Sequence, residues 1–171
     1  EPDIQVGLKN GFSREMEQWL LDGELDLAIN PLEQRLPAGV RYERLARCPL
    51  ALLVPRKAKL KSAGELWARK QILEPLIRLP ATETITRNFL RGLKRKKVDW
   101  PLVMEVGSFG LVLDYVANDC GIGLVVDVPE LAADKKFRVL RLEGFDPLEI
   151  VALWRWRPTA LIETVVREAK S

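Results

Sequence analysis

Apolar and polar residues alternate at the start of the chain and again after one helical segment. Residues 3–9 are apolar at every second position, which predicts a strand. Ser13 is predicted to cap the helix that follows, and Gly23 is predicted to end it. Residues 25–29 alternate again and predict a second strand. A strand–helix–strand unit of this kind favours two parallel strands joined by a right-handed crossover.

Short apolar runs and helical segments also alternate along the rest of the chain. The further predicted strands are residues 40–47, 50–54, 76–79, 102–106, 122–126, 137–142 and 149–156. The further predicted helices are residues 62–70, a helix capped by Thr82 or Thr84 that runs to about residue 93, a helix from Gly107-Ser108 to Gly121, a turn from Pro129 and a final helix that starts at Pro158. This order indicates an α/β fold with mainly parallel sheets.

Composition is that of a folded protein with one globular unit or two small lobes. The chain has 171 residues, of which 47% are hydrophobic and 30% charged. No apolar run is long enough to cross a membrane. No linker rich in Pro, Gly or Ser separates two domains, so any two lobes are expected to be joined by strands.

Basic residues outnumber acidic ones only slightly. The formal net charge is +3, which alone does not indicate nucleic-acid binding. Five basic residues fall within residues 91–97, where cations suit the carboxyl end of a helix. A solvated helix end is therefore favoured over a nucleic-acid patch, since no aromatic residues are interleaved with the basic ones.

Residue types that carry chemistry are scarce. The chain has no histidine, which excludes Ser–His and Cys–His nucleophile pairs and every His-ligated zinc site. Cys48 and Cys120 are interpreted as small buried hydrophobes, with a redox pair or disulfide as the alternative. Glu24 and Asp26 form a carboxylate pair, but general acid–base work there is not favoured. No catalytic residue, metal ligand or cofactor is predicted.

Glycines near residue 121 do not form a dinucleotide fingerprint. Gly121-Ile122-Gly123 lacks the third glycine and follows a helix, whereas the fingerprint follows a strand and opens a helix. A turn that leads into a strand is the favoured interpretation.

Small polar residues at three predicted helix starts give the clearest binding signal. These starts are Ser13, the segment 82–84 and Gly107-Ser108. In open α/β sheets ligands bind at the carboxyl ends of strands, where helix N-termini offer free N–H groups to anions. Glu83 adds a negative charge there, so it points outward or selects an amine or hydroxyl group of the ligand.

Four segments carry a resemblance to a known family that extends over essentially the whole chain. They read EPDIQV at residues 1–6, LLDGELDLAI at 20–29, PLALLVP at 49–55 and VANDCGIGLV at 116–125. Together they resemble the effector-binding domain of LysR-type transcriptional regulators. Asn118-Asp119-Cys120 replaces the small residues that are common in that family before the glycine.

That resemblance implies two Rossmann-like lobes with a periplasmic-binding-protein type 2-like fold. Lobe I would comprise residues 1–52 and 152–171, and lobe II residues 53–151, with crossings near residues 50–55 and 149–156. The family's winged helix-turn-helix, and the first strand and helix of its effector domain, are expected to lie outside this chain.

The same resemblance implies a cytoplasmic, bacterial-type regulator that senses a small molecule and is not an enzyme. The parent protein would be a homodimer or homotetramer, would bind DNA only through its N-terminal domain and would have no membrane partner. The helix starts predict that the effector is a small anion such as a carboxylate, with Phe109 as an apolar wall. The expected effector-binding residues are Ser13, Thr82, Glu83, Thr84, Gly107, Ser108 and Phe109.

Two other functions fit the same fold. A transporter's solute-binding protein would need a secretion signal, and unpaired cysteines argue mildly against it. An enzyme such as a transferase or dehydratase is the other alternative, but no constellation of residues nominates a reaction.

Overall fold

The computed structural model describes residues 6–33 and 35–170 and divides the chain into two compact units. Unit 1 comprises Glu1–Leu45 and Val151–Ser171, and unit 2 comprises Ala46–Ile150. In chain order the elements are α1 (Ser13–Asp22), β1 (Ala28–Pro31), β2 (Val40–Cys48), β3 (Leu50–Pro55), α2 (Ala63–Trp67), β4 (Leu76–Arg78), α3 (Thr84–Lys96), β5 (Val103–Glu105), α4 (Phe109–Ala117), β6 (Ile122–Val126), α5 (Pro129–Ala133), β7 (Phe137–Arg141), β8 (Leu148–Arg155) and α6 (Ala160–Glu168).

Unit 1 is organised around β8, the central strand of a three-stranded sheet with the order β1-β8-β2. Successive side chains of a strand point to opposite faces of the sheet. Val151 and Leu153 therefore pack in one cluster with Leu20 of α1. Ala152 and Trp154 pack in a second cluster with residues of α6, which are Ile162 and Val166. The apolar run of β8 is thus buried on both faces of the sheet.

Unit 2 contains a five-stranded sheet with the order β5-β4-β6-β3-β7. Leu50 to Val54 in β3 are at most 1% exposed, in agreement with the predicted buried strand. β4 pairs in parallel with β5 and β6, whereas β3 pairs antiparallel with β6 and β7. The prediction of mainly parallel sheets is therefore wrong for half of these pairings, because strand direction depends on which distant strands meet and not on local periodicity.

An aromatic cluster fills one side of unit 2. Phe89 stacks on Phe145 with ring centroids 5.3 Å apart, and Trp67 and Trp100 pack around the pair. Gly92 of α3 faces Phe145 so closely that a Cβ atom there would lie 2.1 Å from the ring. A glycine at this position lets the ring pack directly on the helix backbone.

Basic residues near the end of α3 hold the segment before β8. Arg95 Nη1 lies 3.0 Å from Asp146 Oδ2, and Asn88 Nδ2 donates to the carbonyl of Pro147 at 3.0 Å. Lys96 Nζ lies 5.6 Å from the centre of the Phe145 ring. Arg95 and Lys96 therefore interact with side chains of unit 2, in addition to lying at the carboxyl end of a helix, where the sequence analysis placed them.

Residues 6–9, which are the described part of the predicted first strand, form no strand. Residues 3–5 of that prediction lie outside the described residues. Val6 and Leu8 are 75% and 93% exposed. Alternation alone does not make a strand, since a strand also needs a neighbour for its backbone and a surface that covers its apolar face. The described residues therefore do not show the predicted parallel strand–helix–strand unit.

Some helix boundaries differ from the predictions, and the end of α1 agrees. Gly23 ends α1 in the left-handed conformation, with φ 74°, as predicted. The helix that was predicted to reach Gly121 ends at Ala117, with Asn118 as its C-cap. The final helix starts after Thr159, whose hydroxyl accepts from the N–H of Ile162, and not at Pro158.

Gly121 has a different role from the predicted helix end. A Cβ atom on it would lie 2.3 Å from the carbonyl oxygen of Pro75. The glycine therefore allows two backbone segments to approach where β4 and β6 begin. Among the described residues, no helix combines the length and apolar composition needed to cross a membrane.

Candidate functional site

Two helices of unit 2 begin beside each other at one edge of its sheet. β4 and β5 are parallel neighbours in the register Leu76↔Val103 to Arg78↔Glu105, so their carboxyl ends share that edge. The helices α3 and α4 follow these strands along the chain. We call this the carboxyl edge, and it brings the segments 82–84 and 107–109 to one side of the sheet.

Glu83, and not Thr82 or Thr84, is the N-cap of α3, which corrects the prediction. The N–H of Glu83 donates to the carbonyl of Pro80 at 3.0 Å. The buried Thr86 hydroxyl donates to the carbonyl of Leu79 at 2.9 Å. These two short-range bonds tie the helix start to the end of β4, and the residue at the cap has no strong capping preference.

Arg87 holds the threonines that were predicted to contact an effector. Its Nη2 donates to the Thr84 hydroxyl at 2.7 Å, and its Nη1 donates to the carbonyl of Thr82. Because Arg87 lies one turn after Thr84, its guanidinium adds a positive charge to the N-terminal end of α3. Glu83 is only 8% exposed, so it does not point outward into solvent.

Ser108 caps α4, as predicted. Its Oγ accepts from the N–H of Leu111 at 3.2 Å. Phe109 follows it and is 41% exposed, so its ring is available to an incoming ligand. Apart from its two chain neighbours, no described residue has an atom within 4 Å of the Cβ position of Gly107, which leaves open space beside this helix start.

Arg78 lies between the two helix starts, and the sequence analysis missed it. Its Nη1 donates to Glu105 Oε2 and to the carbonyl of Leu79, both at 2.8 Å. Its side chain is only 12% exposed, and its Nε is buried without a hydrogen-bond partner. The signal in the sequence was an arginine at the end of an otherwise apolar strand. The site therefore contains a nearly buried cation.

Ser13 belongs to unit 1 and lies inside α1 rather than at its cap. Phe12 is the N-cap, and its N–H donates to Glu15 Oε2 at 2.8 Å. Ser13 is 3% exposed, and its carbonyl accepts from Asn30 Nδ2 at 3.2 Å. Asn30, another residue that the sequence analysis missed, is 1% exposed, and its Oδ1 has no hydrogen-bond partner. The convergence of Ser13 with residues 82–84 and 107–109 stays a prediction.

Titratable groups elsewhere do not point to a reaction centre. Burial, with Glu33 nearby, raises the pKa of Glu17 in α1, and burial raises the pKa of the Cys48 thiol. Cys48 and Cys120 are half-buried free thiols. In the described part of the chain, no group of three or more His, Cys, Asp or Glu residues could hold a metal ion. What the carboxyl edge offers is hydrogen-bond donors and the guanidinium groups of Arg78 and Arg87, with the carboxylates of Glu105 and Glu83 beside them.

The sequence matches one protein family over nearly its whole length. The family model, described as the LysR substrate binding domain, matches residues 1–170. No curated protein sequence matches the chain.

Solved structures with the same fold are numerous. The regulatory domain of CcmR from Synechocystis, in complex with 2-PG, has a TM-score of 0.74 at 17% identity, over 97% of this chain and 82% of that chain. The effector binding domain of QuiR, in complex with shikimate, has a TM-score of 0.72 at 15% identity, over 94% of this chain and 77% of that chain.

A longer regulator also matches. HinK, a LysR family transcriptional regulator from Pseudomonas aeruginosa, has a TM-score of 0.71 at 19% identity, over 95% of this chain. The match spans 58% of the length of HinK. These likenesses show the fold, which is mixed α/β and periplasmic-binding-protein type 2-like.

Proposed function

This chain belongs to the LysR substrate binding domain family, and we propose that it is the effector-sensing domain of a DNA-binding transcriptional regulator. The observation that carries the proposal is the carboxyl edge of unit 2. Two helix N-termini begin there at the ends of adjacent parallel strands, with the guanidinium of Arg78 between them. Such an edge binds anions through N–H groups, hydroxyls and positive charge.

The proposed effector is a small anion such as a carboxylate. Backbone N–H groups at the starts of α3 and α4 would bind it, apart from that of Glu83, which donates to Pro80, and Arg87 would hold Thr82 and Thr84 in position. Phe109 would form an apolar wall for the rest of the ligand. We assign no reaction to this site, so the effector would bind and leave unchanged.

Related domains support this class of ligand. The CcmR domain is in complex with 2-PG and the QuiR domain with shikimate. Neither identity is high enough to carry the ligand over to this chain, so both compounds serve here as probes.

The rest of the parent protein is proposed from the family. It would be a cytoplasmic homodimer or homotetramer and would bind DNA through a domain outside this chain. Light scattering on the parent protein tests this, because a strict monomer at micromolar concentration would contradict it. A transporter component or an enzyme on the same fold has no observation in its favour.

Calorimetry with a panel of small carboxylates and phosphorylated acids, including shikimate and 2-PG, tests the effector site. Thr84→Ala and Ser108→Ala should each weaken binding of the tightest panel member by roughly 10- to 100-fold, since a hydrogen bond to a charged group contributes about 1.5–3 kcal/mol. Ser13→Ala tests in the same titration whether Ser13 joins the site.

Thr159→Ala is the matched control. Thr159 caps α6 through the same kind of hydroxyl bond as Ser108, so this variant loses similar helix stability but no effector contact. Equal affinity in Thr84→Ala, Ser108→Ala and Thr159→Ala would place the effector elsewhere. Binding by no member of the panel would overturn the small-anion proposal.

A further inference from the structure

Unit 2 has a pocket at the sheet edge opposite the carboxyl edge. Glu74-Pro75 leads into β4, and Asp119 to Gly121 leads into β6, so these two segments lie at the amino ends of two parallel strands. We call this the amino edge. The N–H of Ile122 donates to the carbonyl of Pro75 at 2.8 Å and joins the two segments. The pocket, of about 230 Å³, opens beside them.

The floor of this pocket is apolar and firmly packed. Val54, Leu60 and Ile122 line it and are between 1% and 6% exposed. The turn after β3 supports this floor, because the N–H of Ala58 donates to the carbonyl of Pro55 at 2.9 Å and its carbonyl accepts from Arg138. The floor is therefore set by the core of unit 2 and not by mobile side chains.

Charged groups surround the pocket with an excess of one positive charge. Arg69 lies 2.7 Å from Glu74, and Lys57 lies 2.5 Å from Asp119, so the two carboxylates are paired. Lys59 also lines the pocket, and it has no hydrogen bond or ion pair with any residue that the structure describes. The lining itself holds the cations Arg69 and Lys59 and both carboxylates, and Lys57 lies outside the lining as the partner of Asp119.

Arg69 has donors beyond its ion pair. Only Nη1 of its guanidinium bonds to Glu74, at 2.7 Å and 3.0 Å from the two carboxylate oxygens. Its Nε and Nη2 donate to no group within residues 6–33 and 35–170. A guanidinium in this arrangement has N–H groups left for a second carboxylate.

We propose that this pocket binds a small monocarboxylate with an apolar body, separately from the effector site of the carboxyl edge. The carboxylate would lie between the ammonium of Lys59 and the remaining N–H groups of Arg69. The apolar body would cover Val54, Leu60 and Ile122. One extra positive charge on an otherwise neutralised rim suits a monoanion better than a dianion or a cation.

The volume agrees with a ligand of this class. A cavity of roughly 150 Å³ holds a benzene ring. A pocket of about 230 Å³ therefore has room for one aromatic or branched aliphatic group and a carboxylate.

Phenylacetate is the probe, followed by calorimetry and by the amide NMR signals of the whole chain. We expect a dissociation constant of about 1 mM and shifts concentrated at residues 58–60 and 119–122. Lys59→Gln should weaken binding up to about fivefold, as an exposed charge pair permits. Lys61→Gln, a neighbouring exposed lysine that does not line the pocket, should leave the affinity unchanged.

Two further measurements test the charge and the cavity separately. Phenylacetamide, which is neutral, should bind more weakly than phenylacetate. Ala58→Leu should abolish binding because its larger side chain fills the pocket while every charge stays in place. Equal binding of the acid and the amide, or undiminished binding to Ala58→Leu, would overturn the proposal.

The effector site is distinguished by its own variants. Thr84→Ala and Ser108→Ala should bind phenylacetate as the unaltered chain does. If they lose it, and the NMR shifts fall at residues 82–84 and 107–109, the present proposal is wrong and the proposed function is supported. No binding at about 10 mM, ten times the expected constant, would overturn the present proposal and leave the effector site unaffected.

Discussion

The two edges of the five-stranded sheet in unit 2 are built by different means. At the carboxyl edge, side-chain hydrogen bonds hold the helix starts, as those of Thr86 and Ser108 do. At the amino edge, the backbones at Gly121 and Pro75 touch directly, and two exposed ion pairs lie around them.

This difference decides which residues each edge tolerates. Hydroxyl and amide donors at the carboxyl edge can be exchanged one at a time, each at the cost of one hydrogen bond. The backbone contact at the amino edge requires a residue without a Cβ atom at one position. A ligand site can therefore be tuned at the carboxyl edge by single substitutions, whereas the amino edge depends on close packing.

The largest expected effect is that of Gly121→Ala at the amino edge. The added Cβ would lie 2.3 Å from the carbonyl oxygen of Pro75, and neither backbone segment can move without disturbing the bond between Ile122 and Pro75. We expect the free energy of unfolding to fall by about 3 kcal/mol, as for overpacked core positions. Urea denaturation followed by circular dichroism measures this change.

Gly107→Ala at the carboxyl edge is the matched control. Apart from the two chain neighbours, no described residue has an atom within 4 Å of its Cβ position, so the free energy of unfolding should change by less than about 0.5 kcal/mol. Similar losses of unfolding free energy in Gly121→Ala and Gly107→Ala would show that the two edges do not differ in how closely their backbones pack.

An intermediate effect is expected for Thr86→Val at the carboxyl edge. Valine keeps the shape of threonine but removes the hydroxyl that donates to Leu79, and the position is 0% exposed. Arg78 still donates to the same carbonyl, so the change removes one buried hydrogen bond and should lower the free energy of unfolding by about 0.5–1.5 kcal/mol. Thermal and urea denaturation of the same samples measure the loss.

Thr164→Val in α6 provides the comparison for that hydroxyl. Thr164 donates to the carbonyl of Ala160 at the same distance, 2.9 Å, but is exposed, so water replaces the lost donor. The expected loss is below about 0.5 kcal/mol. If Thr86→Val lowers the free energy of unfolding no more than Thr164→Val does, the Thr86 hydroxyl does not hold the start of α3.

The smallest effect concerns the pH dependence of Glu74 at the amino edge. Partial burial raises the pKa of its carboxyl, but the hydrogen bond and the charge of Arg69, together with backbone hydrogen bonds at Glu74 and Leu73, outweigh the burial and hold the pKa below the ordinary value of 4.5. A lowered folded-state pKa contributes stability that is present above pH 4.5 and is lost as the pH falls through the folded-state pKa.

Glu74→Gln should therefore lower the free energy of unfolding at pH 7 by about 0.5 kcal/mol, since the pair is partly exposed. The difference from the unaltered chain should shrink as the pH falls below 4.5. Glu143 is exposed and has no ion pair among the described residues. For Glu143→Gln, the difference in unfolding free energy from the unaltered chain should not shrink as the pH falls. A constant difference at every pH would show that the pair with Arg69 does not stabilise the fold.

Helix starts show how far the sequence could predict the candidate site. Ser108 was predicted as the opening residue of α4 and is its N-cap, because the bond to Leu111 is local. At α1 and α3 the hydroxyl residues were predicted as caps, but Phe12 and Glu83 take that position. Ser13 is held by Asn30, and Thr86 by the end of β4, and the capping preferences of single residues do not report such contacts.

By itself the sequence determined the features that depend on neighbouring residues and on strong apolar runs. These include the buried strands β3 and β6, the end of α1 at Gly23 and the family to which the chain belongs. Continuous apolar runs must be buried wherever they lie, and a left-handed glycine ends a helix in any surroundings.

Only the tertiary structure decided the features that depend on distant partners. Residues 6–9 alternate correctly but form no strand, β3 runs antiparallel to β6, and Gly121 serves a close backbone approach. Arg78 likewise becomes a nearly buried cation only because β4 and β5 end side by side. A strand, its direction and a site at its end are all completed by residues far away in the chain, so local patterns cannot contain them.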